Sequence, residues 1–260
     1  MSDFLAEMGV LSVARAAHVD AVAMDSQAHH RPPPIPVNTE GFGLIAEIKF
    51  SAPSAGVLRI EDNPVAAAVD QARVYEAAGA RAISVLTEPS RFGGSIEHLA
   101  AVCAAVDIPV MRKDFLVDPV QVLEARAAGA SGILLILRML DDARLYQMVE
   151  LAQELGMFIL LEAFDGEDLA RAADIKGVLL GLNCRDLSTL EVDSGRFEAL
   201  SSAFLGEQVR VAESGMSHPE DARRVAGMGY TLALVGSALM RSEDPGALIA
   251  DMTAAGQEGL

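Results

Sequence analysis

Charged residues close several otherwise apolar runs of this chain. Glu47 and Lys49 fall near the end of LIAEIKF (44–50), Arg112, Lys113 and Asp114 end PVMRKD (109–114), Glu162 sits near the end of FILLEA (158–163), Asn183 ends GVLLGLN (177–183), and Glu213 and Ser214 end VRVAES (209–214). An ammonium ordinarily gives up its proton at about pH 10.4, so a lysine is an acid at neutral pH, and a nearby carboxylate is a base. Lysines and glutamates that converge therefore suit proton transfer and the neutralisation of developing negative charge. Side chains alternate along a strand, so Glu47 and Lys49 point to one side. Two readings stand for that pair: site residues, or a structural ion pair with neighbours. Of Arg112, Lys113 and Asp114, one is expected to be solvated, with Arg112 or Asp114 turned towards a helix. Asn183 is a site residue or a turn former. Glu162 is hardest to dismiss, because a carboxylate inside an apolar run needs compensation.

A second group of residues has the chemistry of anion capture. AESGM (212–216) and VGSAL (235–239) each place Ser and Gly after an apolar run and before a helical stretch. Glycine lets backbone N–H groups approach an anion, and helix starts favour negative charge. Ser214, Gly215, Gly236 and Ser237 are accordingly candidates to hold the phosphate of a small phosphorylated ligand.

The elements that must position these residues follow one pattern. The runs above, with AISVLT (82–87), GILLIL (132–137) and LALVGS (232–237), alternate with Ala-rich stretches such as NPVAAAVDQARVYEAAGA (63–80), DPVQVLEARAAGA (118–130) and HPEDARRVAGMGY (218–230). The latter read as helices, with Asn, Asp or Pro at the start and Gly at the end. Eight strand–helix units predict an α/β fold, a (β/α)₈ TIM barrel, in which the carboxyl ends of the strands converge on one mouth. The loops after the seventh and eighth strands, where the Ser/Gly motifs fall, are the usual phosphate site of that architecture. A doubly wound open sheet is the runner-up, but no GxGxxG follows the first strand. Residues 1–43 stand outside the repeat. They predict one helix, FLAEMGVLSVARAAHVDAVAM (4–24), lying over one mouth, and a stiff linker, RPPPIPVNTEGFG (31–43). Residues 44–260 are then a single catalytic domain.

Bulk composition narrows the function. The 260 residues carry a formal charge of −17 and a pI near 4.6, which repels nucleic acid and anionic membranes. An anionic ligand must be caught by a local cationic pocket against that field. The two cysteines, Cys103 and Cys184, suggest neither a disulfide framework nor a metal site. No cofactor and no metal are expected. The first residues lack a basic segment ahead of a long apolar core, and no apolar run reaches the roughly 20 residues that span a bilayer. Cytoplasmic localisation and a monomer or weak homodimer are the expectations.

Together the motifs resemble one family, indole-3-glycerol phosphate synthase, over roughly residues 44–242. The matching pieces are IAEIK…PSAG (45–56), ISVLTE…RFGGS (83–95), RKDFLVDPVQVLEARAAGA (112–130), ILLIL (133–137), GLNCRDLSTLEVD (181–193), VAESGM (211–216) and LVGSALMR (234–241). The resemblance implies ring closure of 1-(2-carboxyphenylamino)-1-deoxyribulose 5-phosphate with loss of CO₂ and water. It implies that Lys113 protonates the ketone oxygen, that Glu162 and Lys49 carry the later proton transfers, and that Glu47 and Asn183 orient them and the ribulose hydroxyls. Glu213, Ser214, Arg185 and Ser54 would hold the substrate, while Phe92, Phe115 and Leu134 would wall the anthranilate ring. Neighbouring positive charge and partial burial are expected to lower the lysine acid's pKa.

The chain departs from the family's pattern in places. Ala52-Pro53-Ser54 stands where Ser-Pro-Ser is usual, with Ser51 one residue earlier. Ala55 replaces a lysine, and Cys184 follows Asn183. Cys184 reads as a packing substitution, because the reaction needs no covalent intermediate. The N-terminal segment is also poor in the basic residues the family often carries there. Other readings are a paralogue closing a substituted anthranilate, a related phosphate-binding barrel isomerase, and a degenerate, non-catalytic barrel. The isomerase reaction favours a Cys/Asp pair, which the first strand does not offer. Degeneracy predicts erosion of the charged set, which is intact.

Overall fold

The structure, a computed structural model, describes residues 3–54, 56–187 and 189–260. Eight strands form the frame: β1 Gly43–Ile48, β2 Ala82–Leu86, β3 Val110–Lys113, β4 Gly132–Ile136, β5 Phe158–Ala163, β6 Leu179–Asn183, β7 Val209–Glu213 and β8 Leu232–Val235. Each pairs in parallel with its sequence neighbours, and β1 pairs with β8 as well as β2, so the sheet closes into the expected (β/α)₈ barrel. A short antiparallel ribbon, Ser51–Ala52 with Gly56–Val57, follows β1.

The helices begin where the sequence marks them. Asn63 caps Pro64–Ala77, accepting from the N–H of Ala66, and Asp118 caps Pro119–Ala127 in a capping box with Gln121. Proline occupies the first turn of both, where its missing N–H costs nothing.

Alternation along the strands sorts residues into two packed layers. Leu44, Ala46, Ile83, Val85, Ile133 and Leu135 belong to the layer shared with the helices. Ile45, Met111, Leu134, Leu160, Val211 and Leu234 fill the barrel interior. Continuing the interior column by two residues gives Glu47, Lys113, Ile136, Glu162, Glu213 and Gly236. The inward face thus changes from aliphatic to charged as it reaches the carboxyl mouth.

The N-terminal segment holds two helices rather than the single one expected: α1, Asp3–Ala16, and α2, Ala21–His30. The break has a local cause. Asp20 adopts an extended conformation, and its side chain accepts from the N–H of Ala23, starting a new helix. α1 lies at the carboxyl mouth, with Leu5 and Met8 wholly buried in the interior cluster beside Phe115 and Ile136. α2 packs on Pro119–Ala127. The Pro-rich linker then crosses to the other end of the barrel. Its path is fixed by Arg31, which donates to Ala127 O, and by Ile35 N–H, which donates to Ser131 Oγ at 3.1 Å. Val37 reaches the strand starts near Phe158 and Val209. Among the described residues no helix is long and apolar enough to cross a membrane.

Candidate active site

One cavity opens at the carboxyl mouth, and the charged residues Glu47, Lys49, Lys113, Glu162 and Glu213 line it together with the amide of Asn183. Lys49 stands just beyond the end of β1 at Ile48, and its Nζ lies 2.6 Å from Glu47 Oε1. The two form an ion pair with each other, as one reading of the sequence had it, and both line the cavity, as the other required. Lys113 Nζ lies 3.4 Å from Glu162 Oε2, and Asn183 Nδ2 donates to Glu162 Oε1 at 2.9 Å. Asn183 Oδ1 in turn accepts from the Arg185 N–H at 2.9 Å, which helps position the loop after β6. Asn183 therefore fixes both a carboxylate and a turn.

The electrostatics of Lys113 run opposite to the expectation. Burial alone would lower its pKa, but Glu162, Glu47 and Glu213 surround it and hold it above the usual lysine range. The neighbours are carboxylates, not cations, so the ammonium is the stable form at neutral pH. Burial would raise Glu47, but Lys49 and then Lys113 hold it below the ordinary carboxylate value. Glu213 goes the other way: burial and the Glu162 charge push it well above that value, against the pull of Lys113.

Arg112 and Asp114 are buried, and Lys113, its side chain 19% exposed, faces the cavity. Arg112 points outward to the helix layer, where it donates to Thr87 Oγ1, to Gln121 O and to Glu124 Oε2 at 2.7 Å. Asp114 is buried and accepts from Thr87 Oγ1 at 2.6 Å, from the N–H of Phe115 and from Arg15 of α1 at 2.6 Å. These bonds brace the strand end that carries Lys113.

Ser214, Gly215, Ser217, Gly236, Ser237 and Ala238 line the same cavity. Ser214 and Gly215 both have positive φ, 65° and 73°. The serine is strained there, while the glycine is not. Gly236 is tight for a different reason: a Cβ there would force the Glu47 carboxylate to shift and would stand 3.0 Å from Lys49 Nζ.

The apolar wall is built from Phe92 and Phe115, whose rings are 5.9 Å apart, and Phe4 of α1, edge-on to Phe115 at 5.7 Å. Ile136, Leu187 and Leu190 complete it. Leu134 is wholly buried lower in the barrel and does not line the cavity; Ile136, two residues on, does. Ser54 and Arg185 line the cavity, as does Ala52. Ser51 Oγ donates to Arg91 O instead, so its hydroxyl does not replace the one missing at Ala52. Ala55 lies outside the described residues. Cys184 is fully buried in the helix-facing core, as a packing residue would be. Phe4, Leu187, Leu190 and Met216 were not legible as site residues. For Leu190 the structure adds a signal absent from sequence, a left-handed φ of 64°.

Fold and site together define a (β/α)₈ barrel with ionisable side chains gathered around a cavity at its carboxyl mouth. Comparison with known proteins is specific about which kind. A family profile for indole-3-glycerol phosphate synthase matches residues 12–252. The chain is 44% identical to indole-3-glycerol phosphate synthase of Kineococcus radiotolerans over 240 residues, covering 92% of this chain and 85% of the relative. It is 43% identical to that of Mycobacterium ulcerans over 247 residues, covering 94% and 89%. Among solved structures, 3-hexulose-6-phosphate synthase from Salmonella typhimurium shares the fold with a TM-score of 0.69 at 12% identity, covering 84% of this chain and 100% of that one. The chain belongs to the indole-3-glycerol phosphate synthase family.

Proposed function

We propose that this protein closes the indole ring of 1-(2-carboxyphenylamino)-1-deoxyribulose 5-phosphate, releasing CO₂ and water, in tryptophan biosynthesis. Family membership over nearly the whole chain supports the reaction. The observation that carries the residue roles is the meeting of Lys113 with Glu162, at 3.4 Å, in the same cavity as the Lys49–Glu47 pair and the Ser/Gly turns.

In this reading the ring carbon that bears the carboxylate attacks the ketone carbon, and the C=O pair moves onto oxygen. Lys113, held protonated by its carboxylate neighbours, gives that oxygen its proton. Loss of CO₂ returns the bonding pair to the ring and restores aromaticity. Glu162 and Lys49 carry the proton transfers of the dehydration that follows, with Glu47 fixing Lys49 and Asn183 fixing Glu162. Ser214, Gly215, Gly236 and Ser237 hold the phosphate through backbone N–H and hydroxyl groups. Glu213, Arg185 and Ser54 complete the ribulose pocket, and Phe4, Phe92, Phe115 and Ile136 wall the anthranilate ring. The protein works in the cytoplasm, as a monomer or weak homodimer, on a small phosphorylated substrate.

The test is turnover of the synthetic ribulose substrate followed by indole fluorescence. Lys113→Ala and Glu162→Gln are each expected to lower kcat by about 10²-fold or more, with circular dichroism unchanged. Full activity in either variant would sink the acid–base roles of Lys113 and Glu162. No turnover by the wild-type protein would sink the reaction.

A further inference from the structure

The ring closure consumes a proton that none of its leaving groups supplies. The substrate carboxylate departs as neutral CO₂, so the charge it carried must be cancelled by one proton per turnover. Two protons enter, one at the ketone oxygen and one with the hydroxyl that leaves as water. Only one comes out, from the methylene carbon that becomes part of the indole.

The cavity has a place to keep the missing proton. Glu162 on β5 and Glu213 on β7 flank β6, and the β6 residue in register with Glu162 is Gly181. No side chain separates the two carboxyls there, and a Cβ at position 181 would collide with the Glu213 carboxylate. Glu162 takes the available donors, the Lys113 ammonium and the Asn183 amide. Glu213 is 1% exposed, and neither of its carboxylate oxygens accepts from an N–H or hydroxyl donor among the described residues. A buried ionised carboxyl in that state is costly, and two carboxylates side by side do not both ionise. A proton on Glu213 removes both costs.

The surrounding charges leave this intact. From β1 comes Glu47, already paired with Lys49; from β3 comes Lys113, bonded to Glu162. From β6 come the uncharged Gly181 and Asn183, and from β8 the register partner of Glu213, Leu234. Burial first, and the Glu162 charge next, favour the neutral form of Glu213 over the opposing pull of Lys113.

We propose that Glu162 and Glu213 hold one proton between them in the resting enzyme, and that this proton leaves with the hydroxyl as water. The proposal rests on the ring-closure reaction assigned to the protein. The steps then balance. Lys113 protonates the ketone oxygen and becomes an amine. Once Lys113 is an amine, the Glu213 proton passes to Glu162 and from there to the departing hydroxyl as the C–O bond breaks. The methylene C–H pair forms the new double bond; Lys49 takes up its proton while handing one of its own to the Lys113 amine, so both ammoniums are restored. One solvent proton then refills the carboxyl pair.

Infrared difference spectroscopy of the substrate-free protein at neutral pH tests this directly. Wild type minus Glu213→Gln is expected to show the carbonyl stretch of one protonated carboxyl per chain. In Glu162→Gln the band is expected to fade at a lower pH than in wild type, because the partner charge is gone and burial alone still favours the neutral form of Glu213; an unmoved fading point overturns the sharing of the proton. The wild-type band should also fade on raising the pH, a measurement that needs no variant. Absence of the band from wild type at neutral pH, or its survival in Glu213→Gln, overturns the proposal. The spectrum is read without substrate, so a missing band and a missing turnover are separate failures, the first of the shared proton and the second of the assigned reaction.

Discussion

Glu47 and Glu213 are buried glutamates in one cavity, and their surroundings drive them in opposite directions. The consequence is a pair of opposite pH dependences in stability. Glu213 has a folded pKa raised above its ordinary value, so the folded protein binds the extra proton. Its contribution is full below the unfolded value and is lost as pH rises through the raised one. Replacing it with Gln removes that slope. The melting temperature of Glu213→Gln minus that of wild type is expected to grow from mildly acidic to mildly alkaline pH; a flat or falling difference would contradict the raised value. For Glu47 the folded pKa is depressed, so its contribution is present above the unfolded value and lost as pH falls through the depressed one. The types and positions of these residues were readable from sequence. Their protonation was not, because it depends on which charges arrive from other strands. Lys113 makes the point: its own neighbours in sequence are Arg112 and Asp114, yet the charges that raise it come first from Glu162 and then from Glu47, on other strands.

At the scale of elements, β3 shows how one strand serves site and scaffold at once. Lys113 points into the barrel, while Arg112 points out and bonds Asp114, Glu124, Thr87 and the Gln121 carbonyl. The Arg112 side chain is only 3% exposed. Arg112→Ala leaves buried acceptors without a donor and is expected to cost about 3–5 kcal/mol, read as a lowered denaturant midpoint. The loop after β8 is constrained differently. Gly236→Ala would drive a Cβ into the Glu47 carboxylate and against Lys49. Turnover is expected to fall by about 10-fold or more, since misplacing catalytic groups by an ångström is that costly, while the melting temperature changes little. A fully active Gly236→Ala would mean that Glu47 and Lys49 can shift without consequence. Strand existence and order were legible because each run is apolar and bounded by turn residues. The split between α1 and α2 was less so: the periodicity runs on, and the Asp20 cap is the only local mark of the break.

Over the whole molecule, the N-terminal segment straps both ends of the barrel. α1 closes part of the carboxyl mouth with Phe4, Leu5 and Met8, and the linker brings Val37 to the strand starts. Leu5→Ala and Met8→Ala remove fully buried side chains and are each expected to cost about 2–5 kcal/mol, measurable by chemical denaturation. Arg15 fastens α1 to the mouth through Asp114 at 2.6 Å and lies 3.7 Å from Glu88, whose carboxylate caps the short helix bearing Phe92. Arg15→Ala is expected to raise KM more than it lowers kcat, because it loosens the aromatic wall and not the acid–base groups. The formal charge of −17 is not simply reversed at the site: Lys49, Lys113 and Arg185 share one cavity with Glu47, Asp114, Glu162 and Glu213, so cations and carboxylates are interleaved there.

The sequence by itself determined the eight alternating units, the mouth at which their polar ends gather, and the family. Those properties are written locally, in apolar runs, caps and motifs that each occupy a few consecutive residues. Only the tertiary structure decided that Arg112 faces the helices, that Ile136 and not Leu134 reaches the cavity, that Phe4 joins the wall, and that Glu213 meets Glu162 across Gly181. The reason is geometric. Closing the barrel brings together side chains from strands far apart in the chain, and both their contacts and their charge states follow from that closure.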